Sequence, residues 1–173
     1  MKLKKKKIDS KISSIAGIAT LILLFLFLGQ PNIHAATCSN TSGTIVISSN
    51  CEDFDTSGSI DSLTINSGVT VDKSGTARAM YLNHPIGTIT INGTVADDII
   101  FNHNTVTTIN IGAGATITDD DTTTIYMGNS TNITNFTNAG AISNSGQDTI
   151  QNQNQNANFT NITNFTNTGT ISA

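Results

Sequence analysis

Two histidines are the first side chains in this sequence whose type and spacing could do chemistry. His84 and His103 follow two similar runs, Met80-Tyr81-Leu82-Asn83 and Ile99-Ile100-Phe101-Asn102, and each histidine comes directly after the asparagine of its run. If these runs stack on each other, the two imidazoles lie side by side, where they could bind a metal ion with help from the aspartates at 97 and 98. The spacing fixes no third ligand. A solvated histidine pair is therefore the alternative, and we predict no metal site.

Carboxylates form two further groups, Asp97-Asp98 and Asp119-Asp120-Asp121. Hard oxygen ligands suit calcium, but the second run lacks the Gly-Gly-x-Gly-x-Asp repeat that builds calcium sites in β-solenoids. Polysaccharide hydrolases need paired carboxylates on a shared face. We expect both groups in solvated turns rather than on a strand face. The sequence therefore predicts no catalytic residue, no cofactor and no enzymatic activity.

Cys38 and Cys51 are the only cysteines. An even pair in an exported chain predicts a disulfide bond, which would add about 3 kcal/mol by restricting the unfolded chain. A catalytic cysteine is the alternative interpretation. It would need a histidine partner and a general-base setting, which the sequence does not supply.

The segment 1–35 has the pattern of an export signal, with six lysines in the first eleven positions and an uncharged apolar core from Ile15 to Leu28. Gly29 and Pro31 then break the segment, and we predict a signal helix cleaved after Ala35. An uncleaved membrane anchor is the alternative, because 12–33 is uncharged and long enough to span a bilayer.

The chain after Ala35 is acidic and rich in polar β-formers. Six of the 8 basic residues of the whole chain precede Ala35 but only one of the 12 acidic ones does, and the part that follows contains 27 Thr and 20 Asn. The acidity argues against nucleic acid and anionic membranes as partners. Thr favours strands and Asn favours turns, so a helical domain is excluded and the mature chain is not expected to insert into a membrane.

Apolar residues recur in repeats of unequal length with a period in the twenties, and an aliphatic residue follows a glycine in each repeat. The aligned runs are 60–65, 86–91, 106–111, 133–138 and 162–167, followed by Val69, Val95, Ile117, Ile142 and Ile171. Such a period with insertions is typical of a solenoid.

A second apolar run lies inside the repeats, beginning at Met80, Ile99, Ile125 and, more weakly, Ile150. Leu63, Ile65, Met80 and Leu82 should therefore stack on Ile89, Ile91, Ile99 and Phe101. We predict an all-β parallel β-helix of about five coils, with a capping region at 36–59, repeats at 60–173, and Thr and Asn in outward or corner ladders.

The phrases Asn132-Ile-Thr-Asn-Phe-Thr-Asn-Ala-Gly-Ala-Ile-Ser143 and Asn161-Ile-Thr-Asn-Phe-Thr-Asn-Thr-Gly-Thr-Ile-Ser172, together with the signal, resemble the passenger region of bacterial autotransporters. The resemblance implies export, translocation through an outer-membrane barrel and surface display for adhesion or virulence. The sequence departs from the family because it has no barrel strands and no terminal aromatic residue. We therefore expect a truncated or partial chain, located at the cell surface, the outer membrane or outside the cell, or in the periplasm if the barrel is missing.

The leading functional hypothesis is a non-enzymatic surface protein that binds molecules of host or neighbouring cells. Ice binding is the alternative, suggested by Thr88-Ile89-Thr90 and Thr116-Ile117-Thr118, although irregular repeat lengths argue against it. A polysaccharide-active β-helix enzyme is the second alternative. It is disfavoured because the mature chain offers only Lys73 and Arg78 as basic residues.

Overall fold

The structure is a computed structural model that describes residues 36–38, 42–73, 78–102, 104–128, 130–153 and 161–173. Contacts divide the chain into two units, Met1–His34 and Ala35–Ala173. The predicted signal helix and its cleavage site after Ala35 lie outside the described residues, as does His103. Within the described ranges, no helix is long and apolar enough to cross a membrane.

Every regular element in the described part of the chain is a β-strand. In chain order the strands are β1 (Ala36–Thr37), β2 (Gly43–Ile47), β3 (Cys51–Glu52), β4 (Phe54–Asp55), β5 (Ile60–Ile65), β6 (Thr70–Asp72), β7 (Met80–Leu82), β8 (Ile86–Ile91), β9 (Thr94–Ala96), β10 (Ile99–Phe101), β11 (Thr105–Ile111), β12 (Thr116–Asp119), β13 (Ile125–Met127), β14 (Asn132–Asn138), β15 (Ala141–Asn144), β16 (Ile150–Asn152), β17 (Asn161–Asn167) and β18 (Thr170–Ser172).

These strands form three parallel sheets that wrap around one core. The six-stranded sheet has the order β17-β14-β11-β8-β5-β2, the seven-stranded sheet β1-β3-β6-β9-β12-β15-β18, and the five-stranded sheet β16-β13-β10-β7-β4. The predicted parallel β-solenoid is confirmed, with about four turns against the five expected. Four regular turns begin at β5, β8, β11 and β14. A shorter one precedes them, so residues expected as an N-terminal cap already contribute strands to all three sheets.

The predicted register is correct along the six-stranded and five-stranded sheets. Leu63 pairs with Ile89, Ile109 lies between Ile89 and Phe136, and Phe136 pairs with Phe165. Met80 pairs with Ile99, and Leu82 with Phe101.

One position in the seven-stranded sheet was predicted wrongly. Val71, not Val69, pairs with Val95. Val69 lies in the turn before β6, where its N–H donates to the Asn66 carbonyl over 3.2 Å, and its side chain is still buried. Two buried valines two residues apart satisfy the same alternation, so the apolar pattern alone did not separate the turn residue from the strand residue.

The core is a stack of aliphatic and aromatic layers. In β5 and β8 the first, fourth and sixth residues are buried, which leaves two outward residues in a row in each strand. The rings of Phe136 and Phe165 stack with centroids 5.3 Å apart. Each buried Leu, Ile or Phe contributes about 1.5 to 3 kcal/mol relative to exposure, as an upper estimate.

Three of the repeated glycines, Gly93, Gly140 and Gly169, have a steric reason at the corner between two sheets, whereas a Cβ added at Gly68 or Gly114 would meet nothing within 4 Å. A Cβ on Gly140 would lie 2.5 Å from the Ala115 carbonyl oxygen and 2.6 Å from that of Gly112. A Cβ on Gly93 would likewise collide with the carbonyl oxygens of Val69 and Asn66. At these three glycines successive turns approach each other so closely that a Cβ would collide with the backbone of the preceding turn.

The bridge between Cys38 and Cys51 lies at the first edge of the seven-stranded sheet. The two Cα atoms are 5.0 Å apart, and the Cys38 N–H donates to the Glu52 carbonyl over 2.8 Å. Both cysteines are buried against the core. The pairing expected from the sequence is thus present, and it ties the shortest strands of the solenoid together.

Ile109→Asp should unfold the solenoid far more readily than Asn110→Asp. Ile109 is 2% exposed between Ile89 and Phe136, whereas the neighbouring Asn110 points outward and is half-buried. Burying an unpaired carboxylate should cost on the order of 3 kcal/mol or more. Thermal and denaturant melts followed by circular dichroism measure the difference, and similar melts for the two variants would contradict the assigned inward face.

Candidate functional site

The outward side of the six-stranded sheet carries two continuous columns of small polar side chains, here called the ladder face. The register aligns one residue of each column from every strand. The first column is Thr44, Ser62, Thr88, Thr108, Asn135 and Asn164, and the second is Val46, Thr64, Thr90, Asn110, Thr137 and Thr166. Every member except Val46 offers a hydroxyl or an amide, and none of these described side chains is ionisable.

Neighbouring side chains of the ladder face hold one another in place. The Asn164 amide donates to the Asn135 side-chain oxygen over 2.9 Å, and the Ser62 hydroxyl donates to that of Thr44 over 3.5 Å. From Ser62 to Thr137 the two columns are half-buried because each side chain is flanked by its equivalents. Thr has few χ1 rotamers in a strand, so the face is preorganised.

A second candidate site is the acidic corner, formed by Asp97, Asp119 and Asp121. One carboxylate oxygen from each lies within 4.8 Å of the others. They line an open groove of about 610 Å³ that Asp72 and Lys73 also border. The ion pair of Lys73 is with Asp53 rather than with these three carboxylates, since Lys73 Nζ lies 2.7 Å from Asp53 Oδ2.

The structure corrects the expectation that both aspartate groups lie in solvated turns rather than on a strand face. Asp119 is the last residue of β12, not a turn residue, and its side chain is buried. The register that pairs Thr94 of β9 with Thr116 of β12 also brings Asp97 to the level of Asp119. Extending the alignment of Val95 with Ile117 by two residues would have revealed this pair.

The side chain of Asp119 stabilises the turn that follows β12. Its Oδ1 accepts hydrogen bonds from the N–H groups of Asp121 and Thr122 at 3.1 and 3.4 Å, and its Oδ2 accepts the Thr122 hydroxyl at 2.7 Å. Asn144, its partner in the next turn, holds an equivalent loop by accepting the N–H groups of Gly146 and Gln147. The three carboxylates carry six oxygens, of which the two of Asp119 already accept hydrogen bonds from its own turn, whereas calcium takes about six to eight oxygen ligands.

Burial shapes the titration of this corner. Desolvation, with added repulsion from Asp119 and Asp121, raises the pKa of Asp97 to about 6. Desolvation and the negative charge of Asp97 raise the pKa of Asp98 to about 7, although Arg78 opposes the shift. Desolvation also acts on Asp119, but the bonds from Thr122 and the Asp121 N–H outweigh it and lower the pKa of that carboxyl.

The histidine pair is only partly described. His84 Nδ1 lies 2.7 Å from the Asn83 side-chain oxygen and 3.3 Å from the Thr56 hydroxyl, so polar side chains of its own corner occupy it. The sequence alignment that placed His84 beside His103 is correct for the strand residues before the histidines, up to the pair of Leu82 and Phe101. The imidazole of His103 itself is outside the described residues.

An inward amide ladder is the feature that sequence reasoning missed. Asn138 is fully buried at the position that Ile111 occupies one turn earlier. Its amide donates to Asn167 Oδ1 over 2.8 Å and to the Thr170 carbonyl over 3.2 Å, and its Oδ1 accepts the Gly140 N–H. The repetition of Asn-Phe-Thr-Asn at 135–138 and 164–167 is the sequence pattern that could have predicted this stacked pair.

Comparison of the chain with protein-family models, curated proteins and solved structures gave no match. The fold and the sites define the class, a parallel β-solenoid with a polar ladder face and an acidic corner. The resemblance to autotransporter passengers stays a prediction that rests on the style of the repeats.

The protein should be more stable near pH 5 than near pH 8. Asp97 and Asp98 have folded pKa values raised to about 6 and about 7, so above the ordinary aspartate value of 3.8 the folded state holds more protons than the unfolded state. The free energy of unfolding therefore falls as the pH rises from about 4 to about 7. Asp119, with its lowered pKa, acts below that window, where acid removes its stabilising effect.

Melting temperatures measured from about pH 4.5 to about pH 8 test this linkage. Asp98→Asn should flatten the decline, whereas Asp61→Asn, at an exposed position of β5, should leave it unchanged. A wild-type melting temperature that rises steadily with pH would contradict the assignment.

Proposed function

We propose that this chain is an exported, non-enzymatic surface protein that adheres to other surfaces through its ladder face. The single observation that carries the proposal is the continuity of that face. Two columns keep their register through all strands of the six-stranded sheet although the repeats differ in length. A rigid and repetitive surface of hydroxyls and amides suits an adhesion module because many weak contacts add without a large ordering cost.

Export is supported by the N-terminal pattern and by the disulfide. The lysine-rich start followed by an apolar core is typical of a signal peptide. The bond between Cys38 and Cys51 suits an oxidising compartment, because thiols in the cytosol are kept reduced. The low content of basic residues favours neutral or cationic surface groups as partners over anionic ones.

A non-enzymatic role is favoured by what the acidic corner does within the fold. Asp119 holds its own turn by three hydrogen bonds, which gives this carboxylate a structural role. The resemblance to autotransporter passengers supports display at the cell surface.

Cells producing the full chain test both parts of the proposal. Protease treatment of intact cells should degrade the protein, which establishes surface exposure, and beads coated with the purified protein should attach to cultured epithelial cells or to the producing bacteria. The double change Thr108→Glu and Asn135→Glu places two charges on the ladder face and should reduce attachment several-fold.

The matched control is Thr94→Glu with Thr116→Glu, two stacked outward residues of the seven-stranded sheet. Attachment should survive in this control. Protein that resists protease on intact cells would contradict surface display. Equal attachment by both double variants would show that the ladder face is not the adhesive surface.

A further inference from the structure

We infer that two copies of this chain join through the last turn of the solenoid, related by a two-fold axis. The surface that makes the contact is here called the open end. It consists of the edges of β16, β17 and β18, which are the last strands of the five-, six- and seven-stranded sheets. The ladder face takes no part in it, so the inference goes beyond the proposed function.

The open end exposes apolar side chains whose equivalents in earlier turns are buried. Phe165 is 49% exposed, whereas Phe136, on which it stacks, is 1% exposed. Ile171 is only partly buried, although Ile142, its partner one turn earlier, is fully buried. Contact with a further layer would remove these side chains from water, so the open end has a driving force for association.

The backbone of the open end also presents hydrogen-bonding groups. In the six-stranded sheet, the carbonyl that ends each strand accepts an N–H from the following turn. Ile111 accepts that of Ala139 over 2.9 Å, and Asn138 accepts that of Thr168 over 2.8 Å. Asn167 is the next residue in this series, so its carbonyl is directed at the open end. Among the described strands β17 is an edge, and an edge strand is a template for pairing with another chain.

A two-fold axis through the middle of β17 matches all three edges at once. β17 then lies antiparallel to its own copy, and β16 of one chain lies opposite β18 of the other, both of them three residues long. A solenoid rises by one strand spacing, about 4.8 Å, in each turn of three strands. The lower edge, β16, therefore meets the higher edge, β18, and the three strand pairs reach the same spacing together.

The charge distribution favours a second copy as the partner. The chain after Ala35 is acidic, yet no side chain after Asp148 is ionisable. Two open ends therefore meet without repulsion between charged side chains. A different protein would have to present three strand edges of matching length and height, and an identical copy does so by symmetry.

The first turn of the solenoid does not offer the same surface. Ile45 and Ile47, the inward residues of β2, are each 6% exposed. Stacking of the open end on the first turn of another copy would therefore lack a matching apolar layer. Such stacking would also build an open filament, whereas a two-fold contact closes at two copies.

Sedimentation equilibrium of the purified full chain tests the inference. We expect the mass of two chains, with no further growth as the concentration rises. Phe165→Lys places a charge at the centre of the contact and should weaken the dimer by about ten-fold or more. Val46→Lys is the matched control, because Val46 is the other exposed large apolar residue in the described part of the chain and lies in the first strand of the same sheet. This control should dimerise like the wild-type protein.

A covalent cross-link gives a second readout, which decides the matter if Phe165→Lys does not fold in circular dichroism. Residue 165 lies close to the axis, so Phe165→Cys should link two chains under oxidising conditions, whereas Val46→Cys should not. A monomeric wild-type protein, a mass that keeps growing with concentration, or equal dimerisation of wild type and folded Phe165→Lys would overturn the inference. Equal cross-linking of the two cysteine variants would overturn it as well.

Discussion

Hydrogen bonding between stacked, parallel strands is the constraint on which the rest of this structure depends. Each strand of a turn satisfies its backbone groups with the turn before and the turn after, so a residue has nearly the same neighbours in every layer. Ile109 lies between Ile89 and Phe136 for this reason, and Thr108 lies between Thr88 and Asn135. The core and the ladder face are two sides of one register.

The repeats differ in length at the corners between sheets, because an insertion within a strand would disrupt its pairing with the neighbouring turns. Insertions are accommodated between sheets, and side chains at these points hold the loops they begin. Asp119 and Asn144 accept the N–H groups of their own turns, and Asn138 does so for Gly140 while bonding forward to Asn167. The buried side chains of Asp119, Asn138 and Asn144 are stable there because the adjacent backbone supplies hydrogen-bond partners.

The two candidate sites differ in how they arise from this architecture. The ladder face is the direct product of the repeat, and its properties come from many equivalent positions rather than from one residue. The acidic corner is a local departure, in which two adjacent turns bring carboxylates together and burial raises the pKa values of Asp97 and Asp98. A repetitive binding surface requires the first kind of site, and a pH-dependent stability arises from the second.

The sequence by itself determined the fold class, the stacking partners in two sheets and the cysteine bridge, because apolar residues at inward positions of a β-solenoid recur with the turn. It misplaced Val69, since a turn residue and a strand residue with the same burial are alike in an apolar pattern. It missed the meeting of Asp97 with Asp119 because the repeats were aligned on apolar residues and the alignment was not extended to the aspartates that follow them. Only the tertiary structure decided which of the two valines lies in the strand and that Asp97 lies at the level of Asp119, because backbone pairing fixes each strand residue opposite its partner in the next turn.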